Sequence, residues 1–150
     1  MFELSRDPID PAALRARLAA GDGGGFVCFE GRVRRSNAGR EVLRLDYEAY
    51  PPLAEKLGRE VVAEARERFG LAQVLCVHRV GSLAIGEVAV WIGVLAAHRG
   101  EAFAGCRYLI DELKGRVPIW KKEHYASGAA AWIPPPGARA VEENGKFPQG

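Results

Sequence analysis

The amino-acid sequence predicts an α+β domain in which helices pack on a mainly antiparallel sheet. Three observations carry that class. Pro51–Gly70 and Gly100–Lys114 repeat apolar residues at three- and four-residue spacing, as amphipathic helices do. Val42–Glu48 alternates apolar and polar residues with the period of two that a half-buried strand requires. The segments run β-β-α-β-β-α through short links, an order that places helices over one side of a sheet. A chain of 150 residues is expected to form one domain, residues 1–133, followed by a Pro-rich and poorly ordered tail over 134–150.

Each element has its own warrant. Asp10-Pro11 is an N-cap followed by proline at the first helical position, and Leu14 and Leu18 share one face of the short helix that follows. The run Gly21-Asp22-Gly23-Gly24-Gly25 ends that helix. It lacks the Gly-Lys-Ser/Thr ending of a phosphate loop, so it is read as a flexible connector. Phe26–Arg34 is a strand whose far end turns basic, and Arg35–Arg40 is a loop. In Val42–Glu48, Leu43, Leu45 and Tyr47 alternate with Arg44, Asp46 and Glu48, and this strand is expected to pair antiparallel with Phe26–Arg34. Pro51-Pro52 opens a long helix with Leu53, Leu57, Val61 and Ala65 in its stripe, widened by Val62 and Phe69, and Gly70 stops it.

Gln73–Val80 is a further strand, and Gly81 and Gly86 bracket a turn. Val88–Ala97 is almost wholly apolar, the mark of a strand buried on both faces, and it ends abruptly at His98-Arg99. In the second long helix Ala102, Phe103, Cys106, Ile110 and Leu113 form the apolar stripe. Gly115 and Pro118 then break the chain. Trp132-Ile133 is a final short strand, and Pro134-Pro135-Pro136 cannot continue a helix or a central strand.

Composition excludes several function classes. Apolar residues make up 48% and charged residues 27% of the chain, ordinary values for a globular protein. No apolar run approaches the roughly 18 residues of a membrane helix. The N-terminus lacks the basic-then-apolar pattern of a secretory signal, and a cytoplasmic location is expected. A net charge of +2 is too small for general nucleic-acid binding. Cys28, Cys76 and Cys106 lack zinc-ligand or redox spacing, and an odd number fits a disulfide framework badly. They are read as small buried hydrophobes, with a sulfur-carrying catalytic cysteine as the alternative. His78, His98 and His124 also lack ligand spacing, so no metal is expected.

The distribution of charge says more than its sum. Arg32, Arg34, Arg35 and Arg40 cluster, as do Lys114, Arg116, Lys121 and Lys122, a pattern suited to a compact anion such as a phosphate. Three basic points fall where elements end: Arg32 and Arg34, His98-Arg99, and Lys114. Each also has a bland explanation, since Lys114 could simply complement a helix dipole. Lys114 and Lys121 are the pointed pair. The Gly115–Pro118 turn can fold their segments together, with Trp120 as an apolar wall. A lysine in a partly dry cationic pocket can act as nucleophile, base or acid. Arginine keeps its charge and clamps phosphate, the role that suits Arg34 and Arg99.

These residues resemble the molybdopterin synthase large-subunit family. The matching stretches are Gly31-Arg32-Val33-Arg34, Tyr50-Pro51 with Ala54-Glu55-Lys56, and His78-Arg79-Val80-Gly81 through Gly86-Glu87. They continue with Ala97-His98-Arg99, and with Leu113-Lys114-Gly115-Arg116-Val117-Pro118 running into Trp120-Lys121-Lys122-Glu123. The resemblance spans Phe26 to about Trp132. It implies an α/β-hammerhead-like fold and a sulfurtransferase of molybdenum cofactor biosynthesis that uses no cofactor of its own. The reaction implied is conversion of cyclic pyranopterin monophosphate to molybdopterin by two sulfur transfers. The sulfur comes from the C-terminal Gly-Gly thiocarboxylate of a small ubiquitin-like partner. A homodimer carrying one partner at each outer end, a heterotetramer, is implied with it.

Carried over by position, Lys114 matches the catalytic lysine and Lys121 the second functional lysine. Arg32, Val33 and Arg34, then His98 and Arg99, then Lys121, Lys122 and Glu123 match substrate-contacting segments. On this resemblance Arg34, His98 and Arg99 hold phosphate and pterin, Lys114 assists sulfur attack and departure of oxygen, and Lys121 offsets developing charge. The chain departs from the family at Gly23-Gly24-Gly25 and at Pro134-Pro135-Pro136, which leaves open whether Arg139 reaches a neighbouring site. Two other classes make different demands on the sequence. A non-catalytic basic domain binding RNA or an acidic protein would want aromatics among the basic residues, and only Trp120 lies suitably. A phosphate-ester hydrolase would want paired carboxylates or metal ligands, and none recommends it.

Overall fold

The computed structural model describes residues 1–18 and 21–135. In chain order these form β1 (Phe2–Ser5), α1 (Pro11–Ala16), β2 (Gly25–Arg32), β3 (Ser36–Asn37), β4 (Arg40–Ala49) and α2 (Pro51–Phe69). Then come β5 (Gln73–Arg79), β6 (Gly81–Ala84), β7 (Val88–Ala96), α3 (Arg99–Arg116), β8 (Ile119–Tyr125) and β9 (Ala131–Ile133). The class is α+β as expected, but the strands divide between two sheets. One has the order β1-β5-β7-β2; the other has the order β3-β4-β8-β9, with β6 also paired to β4. Pairing is antiparallel throughout except for β1, which lies parallel to β5 with Phe2 opposite Cys76.

β7 is the spine of the first sheet and explains why its sequence is apolar without alternation. Its residues from Ala89 to Ala96 are all buried. Val90, Ile92, Val94 and Ala96 face a core built with α2 and α3, while Trp91 packs on the other face among Leu75, Val77, Ile9, Leu14 and Leu18. The expectation that helices cover one side therefore needs correction. α2 and α3 share one face, and the short α1 segment closes the other, because both faces of a central apolar strand must be removed from water. Among the described residues no helix is long and apolar enough to cross a membrane.

The two long helices form much as their periodicity requires. Pro51 starts α2, and Gly70 ends it at φ 61°, a left-handed cap whose N–H donates to the Arg66 carbonyl. The stripe is rotated at its first turn. Ala54 and Gly58 are buried where Leu53 is 43% exposed. The reason is Phe2: a Cβ on Gly58 would lie 2.3–2.6 Å from its ring, so only glycine lets β1 close on α2. In α3, Gly105 and Leu109 are buried and Phe103 is 64% exposed. Leu71 occupies the space that a side chain at position 105 would need.

The expected hairpin between Phe26–Arg34 and Val42–Glu48 does not form. β2 pairs with β7, and β4 pairs with β3, β6 and β8. A register shift between Gly31 and Arg32 turns the chain out of the first sheet. Val33 then anchors it, its N–H donating to the Glu87 carbonyl at 3.0 Å and its own carbonyl accepting from Gly86 at 2.9 Å. The bracketed turn after Gly81 contains a strand, β6, whose Leu83 is 1% exposed beneath the second sheet. The tail expected from residue 134 lies outside the described residues from 136 onward, Arg139 included, while Pro134 and Pro135 line the cleft described next.

Candidate active site

A cleft of about 300 Å³ opens where the last turn of α3, the strand β8 and the segment Arg32–Asn37 meet. Its floor is apolar, from Val90, Ile110, Leu113 and Val117, and Ile133 to Pro135 form one wall. Arg32, Arg34, Lys114 and Lys121 line it from three different elements, with Asn37, Tyr47, His78 and Glu123 between them. An apolar bed carrying a few convergent polar groups is what a small-molecule site requires.

The turn geometry brings the lysines to one space. Lys114 sits in the last turn of α3, and the Val117 N–H closes that helix on the Leu113 carbonyl. Two residues later β8 begins and runs antiparallel to β4, with Lys121 opposite Tyr47. Alternation along β8 then sorts its side chains. Lys121 and Glu123 face the cleft, whereas Lys122 turns to the other face, its ammonium 5.3 Å from the Trp132 ring centroid. Lys122 thus stands outside the cleft within this chain.

Glu123 is the hub. It is 2% exposed, and its carboxylate accepts from Asn37 Nδ2 at 3.0 Å and from the Tyr125 hydroxyl at 2.5 Å. Lys121 Nζ lies 3.3 Å away. Burial alone would raise the carboxyl pKa. The hydrogen bonds from Tyr125 and Asn37 and the Lys121 charge outweigh it, and the net shift is downward. Arg34 extends the network, with Nη2 donating to Asn37 Oδ1 at 3.4 Å. Arg32 stands exposed at the rim, held by Glu30 at 2.6 Å. Lys114 has no ion-pair or hydrogen-bond partner among the described residues, and its ammonium faces an open cleft.

His78, at the end of β5, completes the lining. Its Nδ1 lies 2.7 Å from the Arg79 carbonyl oxygen, and its ring meets Tyr47 edge-on at 5.1 Å. Burial, reinforced by the Lys114 charge and opposed by the Arg79 carbonyl, pulls its pKa down to about 4. Tyr47 is pushed up to about 12 by burial and by Glu123.

Val33 lies under the cleft instead of in it, 3% exposed with both backbone groups engaged. His98 and Arg99 are exposed at the far end of the molecule. Arg99 opens α3 and Lys114 is near its end, so their Cα atoms are about 22 Å apart at 1.5 Å per residue. The strands agree: β2 and β7 are antiparallel, so Arg32 stands beside Val88 while Gly25 pairs with Ala96, next to His98. Within one chain these residues do not meet the lysines. Cys76 and Cys106 are buried, and their thiols are raised to about 12 and 11 by burial. Cys28 is half-buried beside Arg15. None of the three lines the cleft.

Comparison with known proteins shows which family the chain belongs to. The family model described as MoaE protein matches residues 4–116. The chain belongs to the MoaE protein family. A molybdopterin synthase catalytic subunit from Synechococcus elongatus is 43% identical over 135 residues, covering 89% of this chain and 81% of that protein. Molybdopterin synthase catalytic subunit 1 of Mycobacterium tuberculosis is 41% identical over 130 residues, 87% and 88% of the two chains. The crystal structure of molybdopterin synthase from Staphylococcus aureus superposes with a TM-score of 0.83 at 36% identity, covering 88% of this chain and 96% of that one. Membership in MoaE assigns the chain to the catalytic subunits of molybdopterin synthase, sulfur-transferring enzymes of molybdenum cofactor biosynthesis.

Sequence reasoning gave no cleft role to Asn37, Tyr47 or His78. Tyr47 was legible as the inward member of an alternating strand. The only signal for His78 was a titratable residue closing an otherwise apolar strand. Asn37 had none, because its part depends on Glu123, eighty-six residues away.

Proposed function

We propose that this MoaE chain binds cyclic pyranopterin monophosphate in the cleft and completes its dithiolene with sulfur from a small partner's C-terminal thiocarboxylate. The arrangement that carries this reading is the opening of Lys114 and Lys121 onto one apolar-floored cleft rimmed by Arg32 and Arg34. The guanidinium groups suit the phosphate, since their fork matches its oxygens. The thiocarboxylate sulfur attacks a substrate carbon, and a C–S bond forms as oxygen is displaced; water then cleaves the acyl–sulfur bond, which leaves the sulfur on the substrate and releases the partner with a C-terminal carboxylate. The Lys114 ammonium supplies the proton with which that oxygen leaves. Lys121, held by Glu123, offsets negative charge as it develops. No cysteine has to carry sulfur, in keeping with the burial of Cys76 and Cys106.

His98 and Arg99 take part only if a second copy brings them. The family's homodimer offers that route, each cleft receiving the pair from its neighbour, with one small partner at each outer end of a cytoplasmic heterotetramer. Reconstitution with the thiocarboxylated partner and cyclic pyranopterin monophosphate tests the reading. Lys114 is exposed, so Lys114→Ala should keep its circular dichroism and melting temperature while losing about 100-fold or more in dithiolene formation. Near-normal turnover would remove Lys114 from the mechanism.

A further inference from the structure

The cleft is rich in donors. Arg32, Arg34, Lys114 and Lys121 can only donate. Glu123, the nearest strong acceptor, is already occupied by Asn37, Tyr125 and Lys121. The hydroxyls of Ser36 and Tyr47 can act either way.

His78 differs from all of these. A carbonyl oxygen can only accept, so the 2.7 Å contact with the Arg79 carbonyl places the ring proton on Nδ1 and the lone pair on Nε2. Among the described residues Nε2 has no hydrogen-bond partner. The unpartnered side-chain atoms sealed from solvent among the described residues are Arg79 Nε and Trp91 Nε1; His78 Nε2 is not one of them, so it opens on the cleft that the ring lines. The Arg79 contact and the edge-on Tyr47 ring fix its direction. Burial and the nearby Lys114 charge keep the ring neutral, so that Nε2 stays an acceptor at neutral pH.

We infer that His78 Nε2 is a substrate-reading acceptor, taking a hydrogen bond from an N–H or O–H on the substrate's ring while the arginines and lysines hold its phosphate. This rests on the proposed function and adds to it a chemical requirement: the ligand must present a neutral donor to one side of the cleft and an anion to the other. A phosphate without such a ring would gain nothing from His78. An apolar residue at position 78 would leave the ring's donor unpaired in a partly dry site, which weakens binding by about 10- to 100-fold.

The test measures dissociation constants by calorimetry for two probes, cyclic pyranopterin monophosphate and inorganic phosphate, on the assembled wild type, His78→Phe and His78→Gln. His78→Phe keeps a ring against Tyr47 and should weaken the pterin by about 10- to 100-fold while leaving phosphate affinity unchanged. His78→Gln restores an acceptor oxygen and should recover part of the loss; its melting curve also reports whether the fold tolerates losing the contact to Arg79. Wild-type pterin affinity in a folded His78→Phe protein would overturn the inference, as would a matching loss of phosphate affinity or a folded His78→Gln protein that binds pterin no better than His78→Phe. A wild-type protein that binds no pterin would instead defeat the functional reading beneath it.

Discussion

Arg99 and Lys114 occupy opposite ends of one helix, and this makes subunit complementation a decisive experiment. Their Cα atoms are about 22 Å apart, well beyond the reach of an arginine side chain, so one chain cannot bring both to one cleft. In a two-fold dimer each cleft would take Lys114 from one copy and Arg99 from the other. If Arg99 holds the phosphate as proposed, Arg99→Ala removes a charge-assisted contact and should lower activity by about 10- to 100-fold; Lys114→Ala should lower it further. Mixed in equal amounts, unfolded and reassembled, the two variants pair at random and half the dimers contain one of each. Every mixed dimer then has one cleft with both native residues and one with neither. About a quarter of the wild-type activity should return, read as dithiolene product per chain with saturating thiocarboxylated partner. A mixture no more active than its separate components would refute the shared cleft. So would an Arg99→Ala protein of normal activity.

Three further outcomes follow from the packing. Glu123→Gln presents an amide nitrogen to the donors of Asn37 and Tyr125 and ends the ion pair with Lys121. It should cost about 1–3 kcal/mol in urea unfolding and reduce turnover. The His78 pKa in the fold, about 4, lies below the 6.5 of the free side chain. Its contribution to stability is therefore fully present above pH 6.5 and is lost as pH falls toward 4, because the unfolded chain takes up the proton first. The melting temperature should decline over that window, less so in His78→Phe, and the ring resonances should stay those of a neutral imidazole above pH 5. Glu123 and Asp46, whose carboxyls are shifted downward, add a second loss at lower pH. Gly58→Ala drives a methyl into the Phe2 ring and should destabilise by about 1–3 kcal/mol, visible as a lower urea midpoint at unchanged slope.

The sequence pattern made the long elements plain and hid the short or functional ones. α2 and α3 each bury enough apolar surface on one side to impose a period, and β7 is buried on both faces and reads as an unbroken apolar run. β8 does neither, because Lys121 and Glu123 on one face meet the cleft and the other face carries Lys122 and His124, so no apolar alternation marks this segment as a strand. β1 is four residues long and is held by pairing with β5, which nothing local announces. The β2–β4 hairpin was a sound local inference defeated by the register shift at Gly31/Arg32. Of the site, Arg32, Arg34, Lys114, Lys121 and Glu123 were legible because they share motifs. Motifs give proximity in the chain but no end of the sheet, and only the antiparallel register shows that Arg32 and His98 lie apart.

The cleft collects Phe2, Arg34, His78, Lys114 and Pro135 into one volume, so the site requires segments from both ends of the described chain to meet. Phe2 reaches its place through a parallel pairing with Cys76, which must close a loop spanning half the chain before it gains any contact. No autonomous piece of the protein can assemble the lysine pocket. A chain missing either end would lack part of the cleft in which an activated sulfur donor is proposed to sit.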